Sequence, residues 1–295
     1  EGELDPWQRA NLHEMRRDWV HSTALPGRLV EAQSRAATRC ETVWRSARAA
    51  NDFKQLAPEM DAVLNLAREE SQILAEALDL SPYDALLDRY EPGGRCAEID
   101  ERFAQLSSFL PELLQKVLDK QAREPAIVPL SGPFPIENQR ALGLELMAVL
   151  GFDFEHGRLD TSAHPFCGGS PDDVRITTRY SEDDFTQSLM GVIHETGHAL
   201  YEMGLPQDWR GQPVGQARGM GLHESQSLLM EMQACRSPEF IEFVTPMLMK
   251  NFGGEGPGWA PANIDRIYRK VERGLIRVDA DEVTYPLHVI LRYRL

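Results

Sequence analysis

The chain has 295 residues, of which 42% are hydrophobic and 26% charged, a balance that suits a soluble globular body of one large domain or two small ones. Its formal net charge of −15 argues against a broad phosphate-binding surface and against docking on an anionic membrane, so neither nucleic acid nor membrane is an expected partner. No run approaches the ~18 apolar residues of a membrane span, and the polar opening EGELDPWQR does not read as a secretion signal.

Residues 1–125 read as a lobe of successive helices. WQRANLHEMRRDWV, LVEAQSRAATRCETVWRSARAA, MDAVLNLAREESQILAEAL and IDERFAQLSSFLPELLQKVLDK repeat apolar residues at three- and four-residue spacing, with Trp7, Trp19 and Trp44 at expected packing positions. Pro26–Gly27, Pro82 and Pro92–Gly93–Gly94 punctuate them. The segment EPAIVPLSGPFP, residues 124–135, carries four prolines and predicts a loop packed on the body. A further helix, NQRALGLELMAVL, precedes a change of character at residue 152. From there to Tyr180 glycine turns appear, and Val174, Ile176 and Thr178 alternate with Arg175, Thr177 and Arg179, which predicts a strand of a small sheet. Ser181, three residues before Asp184, resembles a capping box and predicts a helix from there through His198. A Gly/Pro/Gln-rich loop over 204–221 leads to the helix HESQSLLMEMQAC, then two more helical stretches and the final IRVDADEVTYPLHVILRYRL. The cysteines at 40, 96, 167 and 235 form no C-x-x-C pair, so buried structural thiols in a reducing cytoplasm are expected.

The stretch GVIHETGHALYEMGLP, residues 191–206, carries the chemistry. On a helix His194 and His198 lie on one face and can direct both imidazoles at one ion. Glu195 sits about 100° around from His194, placed to take a proton from a water at that ion without ligating it. A catalytic zinc needs three protein ligands, an open position for water and such a carboxylate. Tyr201 stands where a metzincin needs glycine, and Ala217 and Arg218 stand where thermolysin-type spacing needs glutamate. The first acidic residue at the start of a later helix is Glu224, with 25 residues intervening after His198, which gives His₂Glu coordination of Zn²⁺, with Co²⁺ as the other ion considered. Glu202 lies too close on the same helix to converge, and Glu231 is the second choice of ligand.

HETGH followed by HESQS resembles the carboxypeptidase Taq family of metallocarboxypeptidases, as do His164-Pro165-Phe166, Asp173-Val174-Arg175-Ile176-Thr177 and the run IRVDAD at 276–281, in that order. The resemblance covers essentially the whole chain. It implies a single metallopeptidase catalytic domain over 1–295, with the zinc-site region at 152–235. The implied fold is mainly α, neurolysin-like, with a deep groove between helical lobes and a small β-sheet beside the zinc. The implied activity is release of C-terminal residues from peptides with a free C-terminus, by a homodimer. A chain of that family starts further upstream and runs on to a GxxQDxHW motif not found here. The expectation is therefore a piece lacking both ends, of little activity and prone to self-association through its last apolar segment.

The expected roles follow. Glu195 is the general base, and Arg277 meets the terminal carboxylate of the substrate, with a structural ion pair as its alternative. Arg175 and Thr177 present a polar edge strand along which substrate extends, or simply face water on an ordinary surface strand. His164 donates to a substrate carbonyl or shapes a turn before Pro165. Tyr285 and His288 face the cleft or pack a helix. His223 supports the site from behind or is structural. Two other functions remain: an oligopeptidase of the same shape, and a non-catalytic, metal-stabilised peptide-binding module.

Overall fold

The structure, a computed structural model, describes residues 3–277 and 280–295, so Val278 and Asp279 of the IRVDAD run lie outside it. The chain folds into two compact units, one of Glu1–Glu98 with Pro206–Met220 and one of Ile99–Leu205 with Gly221–Leu295. The predicted helical lobe of 1–125 is thus divided near the start of its last helix.

In the first unit, α1 (Pro6–Thr23) starts at Asp5, whose carboxylate accepts from Gln8 N while Gln8 caps Asp5 N, with Pro6 at the first helical position. α2 (Gly27–Ala50) and α3 (Phe53–Leu78) form a hairpin through Asn51, whose left-handed φ of 53° closes α2. Its cross pairs Arg28–Glu69 and Arg39–Glu59 run in opposite chain directions, as an antiparallel pair requires. α4 (Pro82–Leu87) was not anticipated: Pro82 serves as its first residue rather than as a break, behind the N-cap Ser81. The tryptophans correct a second expectation, because Trp19 is 65% exposed and Trp7 and Trp44 are exposed as well. α1 instead turns Asn11, Glu14 and His21 inward. Asn11 donates to Gln212 at 2.9 Å and accepts from Val214 N at 3.1 Å, and His21 Nε2 meets Asp88 at 3.1 Å. Trp7 stacks on Trp209, its ring centre 5.8 Å away, and Trp44 carries the Arg48 guanidinium at 5.3 Å.

The second unit contains α5 (Cys96–Gln121, whose first residues close the other unit), α6 (Ile136–Leu150), β1 (Gly157–Thr161), β2 (Phe166–Ser170), β3 (Asp173–Thr178), α7 (Thr186–Met203), α8 (Gly219–Leu228), α9 (Pro238–Phe252), α10 (Pro261–Tyr268) and α11 (Tyr285–Arg294). The sheet has the order β1-β3-β2, with β3 parallel to β1 and antiparallel to β2. β3 is therefore the central strand. Arg175 and Thr177 cannot offer a free edge, since both sides of β3 are already paired; β1 and β2 are the edges of this sheet.

α7 begins at Thr186, five residues after the predicted start at Ser181. Asp184 Oδ1 accepts from Thr186 N at 2.7 Å, and Ser181 Oγ accepts from Asp183 N at 3.2 Å, so these side chains stabilise turns ahead of the helix. α7 is apolar on two sides. Leu189, Met190 and Ile193 join Leu142, Leu146, Ile241, Val244, Leu248 and Phe185 in the main core. Val192 and Ala199 pack on Leu159, Val174 and Ile176 of the sheet. That packing seats the sheet against the helix carrying HETGH. No helix among the described residues is long and apolar enough to cross a membrane.

Candidate metal centre

His194, Glu195 and His198 occupy a third side of α7, and α8 supplies the partner across from them. One ligand atom each from His194, His198 and Glu224 lies within 4.8 Å of the others. The Glu224 carboxylate stands 3.2 Å from His198 Nε2 and 3.7 Å from His194 Nε2, and accepting from His198 holds it below the usual carboxylate range.

A residue outside every expected role permits this approach. A Cβ on Gly197 would lie 2.6 Å from Ser227 Cα and 2.7 Å from Gln226 O, closer than real Cβ atoms come. Glycine at 197 is what lets the backbones of α7 and α8 touch at the level of the histidines. Ser227 is fully buried there, its hydroxyl donating to Glu224 O at 2.7 Å.

The other nitrogen of each imidazole is occupied. His194 Nδ1 meets Glu231 Oε2 at 2.9 Å, and Arg236 donates to the second oxygen of Glu231 at 2.6 Å. His198 Nδ1 lies 2.6 Å from His223 Nδ1, and His223 Nε2 lies 2.7 Å from Glu202. Ionised carboxylates only accept, so the proton positions follow. His194 carries its proton on Nδ1. His223 Nε2 donates to Glu202, which leaves His223 Nδ1 turned to His198 Nδ1. Both Nε2 atoms face Glu224. Glu231, second choice as a ligand, sits behind His194 instead of beside Glu224. Glu202, dismissed for its position on the same helix, acts through His223. Burial raises the pKa of Glu231 and lowers that of His194, but the hydrogen bond and charge between them outweigh it, so Glu231 titrates below and His194 above its ordinary value.

Glu195 is 6% exposed. Burial chiefly, with the charges of Glu224 and Glu231, pushes its carboxyl above the ordinary range against the pull of the two histidines. A bound dication adds the opposite influence.

The remaining expected residues form separate groups. Thr177 is buried, its hydroxyl 2.7 Å from Ser162 Oγ and accepting from Phe166 N at 3.1 Å, so it fastens the strands together. His164 has an exposed side chain and a carbonyl that accepts from Ser162 and Thr177. Arg175 is exposed and paired to Asp173 at 2.6 Å. Arg277 donates to Tyr285 Oη at 3.1 Å, its guanidinium 5.7 Å from that ring, and His288 lies half-buried on α11 one turn further. Cys235 is buried while the other three cysteines are half-buried; burial pushes the Cys167 and Cys235 thiols up to about 12, which keeps them protonated and inert.

The profile of the family described as carboxypeptidase Taq (M32) metallopeptidase matches residues 1–295. Thermostable carboxypeptidase 1 of Thermus thermophilus is 40% identical over 294 residues, covering 97% of this chain and 57% of its own. Carboxypeptidase 1 of Bacillus subtilis is 35% identical, covering 88% of this chain and 51% of its own. Metallocarboxypeptidase 1 of Trypanosoma cruzi superimposes with a TM-score of 0.95 at 48% identity, over 99% of this chain and 59% of that one. An M32 carboxypeptidase of Deinococcus radiodurans R1 gives 0.91 at 34% identity, over 99% and 58%. The chain thus spans somewhat more than half the length of the relatives it matches. With a mainly helical fold, a small three-stranded sheet and HETGH facing HESQS, it belongs to the carboxypeptidase Taq (M32) metallopeptidase family.

Proposed function

We propose that this chain carries the catalytic centre of a zinc-dependent metallocarboxypeptidase that releases C-terminal amino acids from peptides, with His194, His198 and Glu224 holding the ion. The observation that carries the reading is the convergence of one ligand atom each from His194, His198 and Glu224 within 4.8 Å, with Glu231 behind His194 and His223 with Glu202 behind His198. Two imidazoles and a carboxylate are a donor set of catalytic zinc, and equally accept Co²⁺. When bound, a divalent ion supplies the Lewis acidity that makes water a nucleophile near neutral pH.

The chain's own residues do the rest. Glu195, buried beside both histidines, takes the proton of the attacking water and returns it to the leaving amine. Arg277 receives the substrate's terminal carboxylate: among the described residues it donates to the neutral Tyr285 hydroxyl and pairs with no carboxylate, so its charge is available. Tyr285 holds that guanidinium in place. His164, whose side chain is exposed next to edge strand β2, donates to a substrate carbonyl. Arg175 and Thr177 act through the strand they order and make no direct approach to the peptide. The four scattered cysteines, which form no C-x-x-C pair, fit a cytoplasmic protein, and the homodimer of the family resemblance belongs to the same reading.

The experiment is to dialyse the unmodified chain and Glu224→Ala, determine their zinc by elemental analysis, and assay the unmodified chain on a peptide with a free or an amidated C-terminus. One zinc per chain, its loss in Glu224→Ala, and release from the free peptide alone support the proposal. Stoichiometric zinc in Glu224→Ala refutes the ligand set. Equal cleavage of the two peptides replaces the carboxypeptidase with an oligopeptidase, and zinc with no hydrolysis of either leaves the peptide-binding module.

A further inference from the structure

We propose that Glu231 and Arg236 are positioning residues for the metal site: the Glu231 carboxylate fixes the ring orientation and proton of His194 from behind, and Arg236 fixes the carboxylate. The proposal rests on the ligand set proposed above and adds two residues to it.

The geometry separates Glu231 from Glu224, although both lie on one continuous helical run. Glu231 follows Glu224 by seven residues, which in a straight α-helix would place it on the same face about 10 Å further along. Here the helix changes to a π-helical turn over Leu229–Ala234, with Cys235 N donating to Met230 O at 2.8 Å across the wider ring. Such turns occur mostly singly and often at functional sites, where they re-aim a side chain. The result is that Glu224 reaches the Nε2 edge of His194 and Glu231 the Nδ1 edge of the same ring.

Arg236 completes the arrangement. Its Nη2 donates to Glu231 Oε1 at 2.6 Å and its Nη1 to Tyr268 O, at the end of α10, at 3.1 Å. The carboxylate therefore has one oxygen committed to the arginine and one free to accept from His194. Glu231 and Arg236 side chains are 12% and 19% exposed, so water competes weakly for either contact. An imidazole ligand whose second nitrogen donates to a carboxylate is a better electron donor and is held in one orientation. Among the described residues His198 meets the ring of His223 rather than a carboxylate on its Nδ1 side, so the two ligands are supported unequally.

The test measures Zn²⁺ affinity by competition with a chromophoric chelator for the unmodified chain, Glu231→Gln, Glu231→Ala, Arg236→Met, Arg236→Lys and His194→Ala, with circular dichroism of each metal-free protein as the check on folding. Expected are one bound zinc in both Glu231 variants, weakened about 10-fold in Glu231→Gln and up to about 100-fold in Glu231→Ala. Arg236→Met should show a smaller loss that Arg236→Lys largely restores, a rescue that a general packing defect would not give. Affinities of the Glu231 variants within threefold of the unmodified chain overturn the proposal. So does complete loss of zinc in Glu231→Ala to the level of His194→Ala, which would make Glu231 a ligand itself. Should the Glu231 variants fail to fold, the arginine pair decides: equal affinities in Arg236→Met and Arg236→Lys overturn it. Tight stoichiometric zinc in His194→Ala would sink the ligand set instead, whatever the Glu231 variants do.

Discussion

Helices α2 and α7 differ widely in burial. α2 has 24 residues and fully buries Leu29 and Ala47; α7 has 18 and buries ten. α2 leans on α3 along one narrow seam, and its remaining sides carry arginines and glutamates in water. α7 has the main core on one side and the sheet on a second, and its third side, with His194, Glu195 and His198, faces α8, whose backbone touches it at Gly197. Nearly every position on α7 has a neighbour that cannot give way, so the ligands inherit their precision from residues that ligate nothing. On α2 each position is close to independent, and substitution there acts on one side chain at a time.

The largest effect that sharpens this contrast is expected at Glu195. Glu195→Gln keeps the shape and burial of the side chain but cannot accept a proton. Zinc content should be unchanged while hydrolysis of a free-carboxylate peptide falls at least ~10²-fold, measured as residue release at saturating substrate. Near-normal turnover would assign the base to another residue and leave α7 with a purely structural distinction.

Gly197→Ala comes next. The obstructing atoms are backbone, Ser227 Cα and Gln226 O, so no side-chain rotation relieves them. Overpacking of this kind costs about 1–3 kcal/mol, and the displacement of α8 should also weaken zinc binding. Thermal unfolding of the metal-free chain and a chelator titration read the two effects separately. A melting temperature and an affinity both unchanged would mean that α7 and α8 can separate freely, which would break the comparison.

What could be read in advance divides along the same line. The helical segments and the convergence of His194 and His198 with Glu224 follow from local periodicity and spacing, and these the structure contains; the loop after residue 204 ends sooner than expected, at Gly219, where α8 begins. Gly197 looked like one more helical residue, because its reason for being glycine lies on α8. The π-helical turn carrying Glu231 leaves no periodic signature in six residues. Spacing alone presents Glu231 and Glu202 only as ligand candidates, whereas Glu231 stands behind His194 and Glu202 behind His223. The central place of β3 could not be seen from its own alternation, since β2 (FCGGS) lacks the β-branched residues that mark a strand. Trp7, Trp19 and Trp44 misled for a related reason: apolar spacing tells which residues share a face, but buried Asn11, Glu14 and His21 had already taken the inner face of α1.

Asp88 asks whether burial itself, wherever it occurs, sets the cost of a substitution. It is 5% exposed, in the same unit as α2, and accepts from Gly93 N at 3.1 Å and meets His21 Nε2 at 3.1 Å. Burial raises its pKa, but the Gly93 and His21 hydrogen bonds and the Arg17 charge outweigh that, so the folded value lies below the ordinary one. A carboxylate with a depressed folded pKa stabilises above its unfolded value, near 3.9, and that contribution is lost as pH falls through the folded pKa. Asp88→Asn should therefore be less stable than the unmodified chain by about 1–3 kcal/mol at pH 7. The gap should close below about pH 4. Denaturant unfolding across that range tests both statements, and a gap that does not change with pH would trace the loss to packing.

The smallest effect is expected on α2 itself, and it closes the comparison from the other side. Arg35 pairs with Glu31 and Arg45 with Glu41, each one helical turn apart with the acid nearer the N-terminus, the favourable order. Their arginine side chains are 79% and 72% exposed, so water screens the charges and the side-chain entropy lost in pairing offsets much of the attraction. Arg35→Ala and Arg45→Ala should each cost no more than about 0.5 kcal/mol, partly recovered because alanine is the better helix former. Raising the salt to about 1 M, where the Debye length is near 3 Å, should remove most of what remains. A loss above about 1 kcal/mol that persists at high salt exceeds what an exposed pair supplies. It would mean that this side of α2 is covered in solution, and the distinction drawn between the two helices would then fail at α2 rather than at α7.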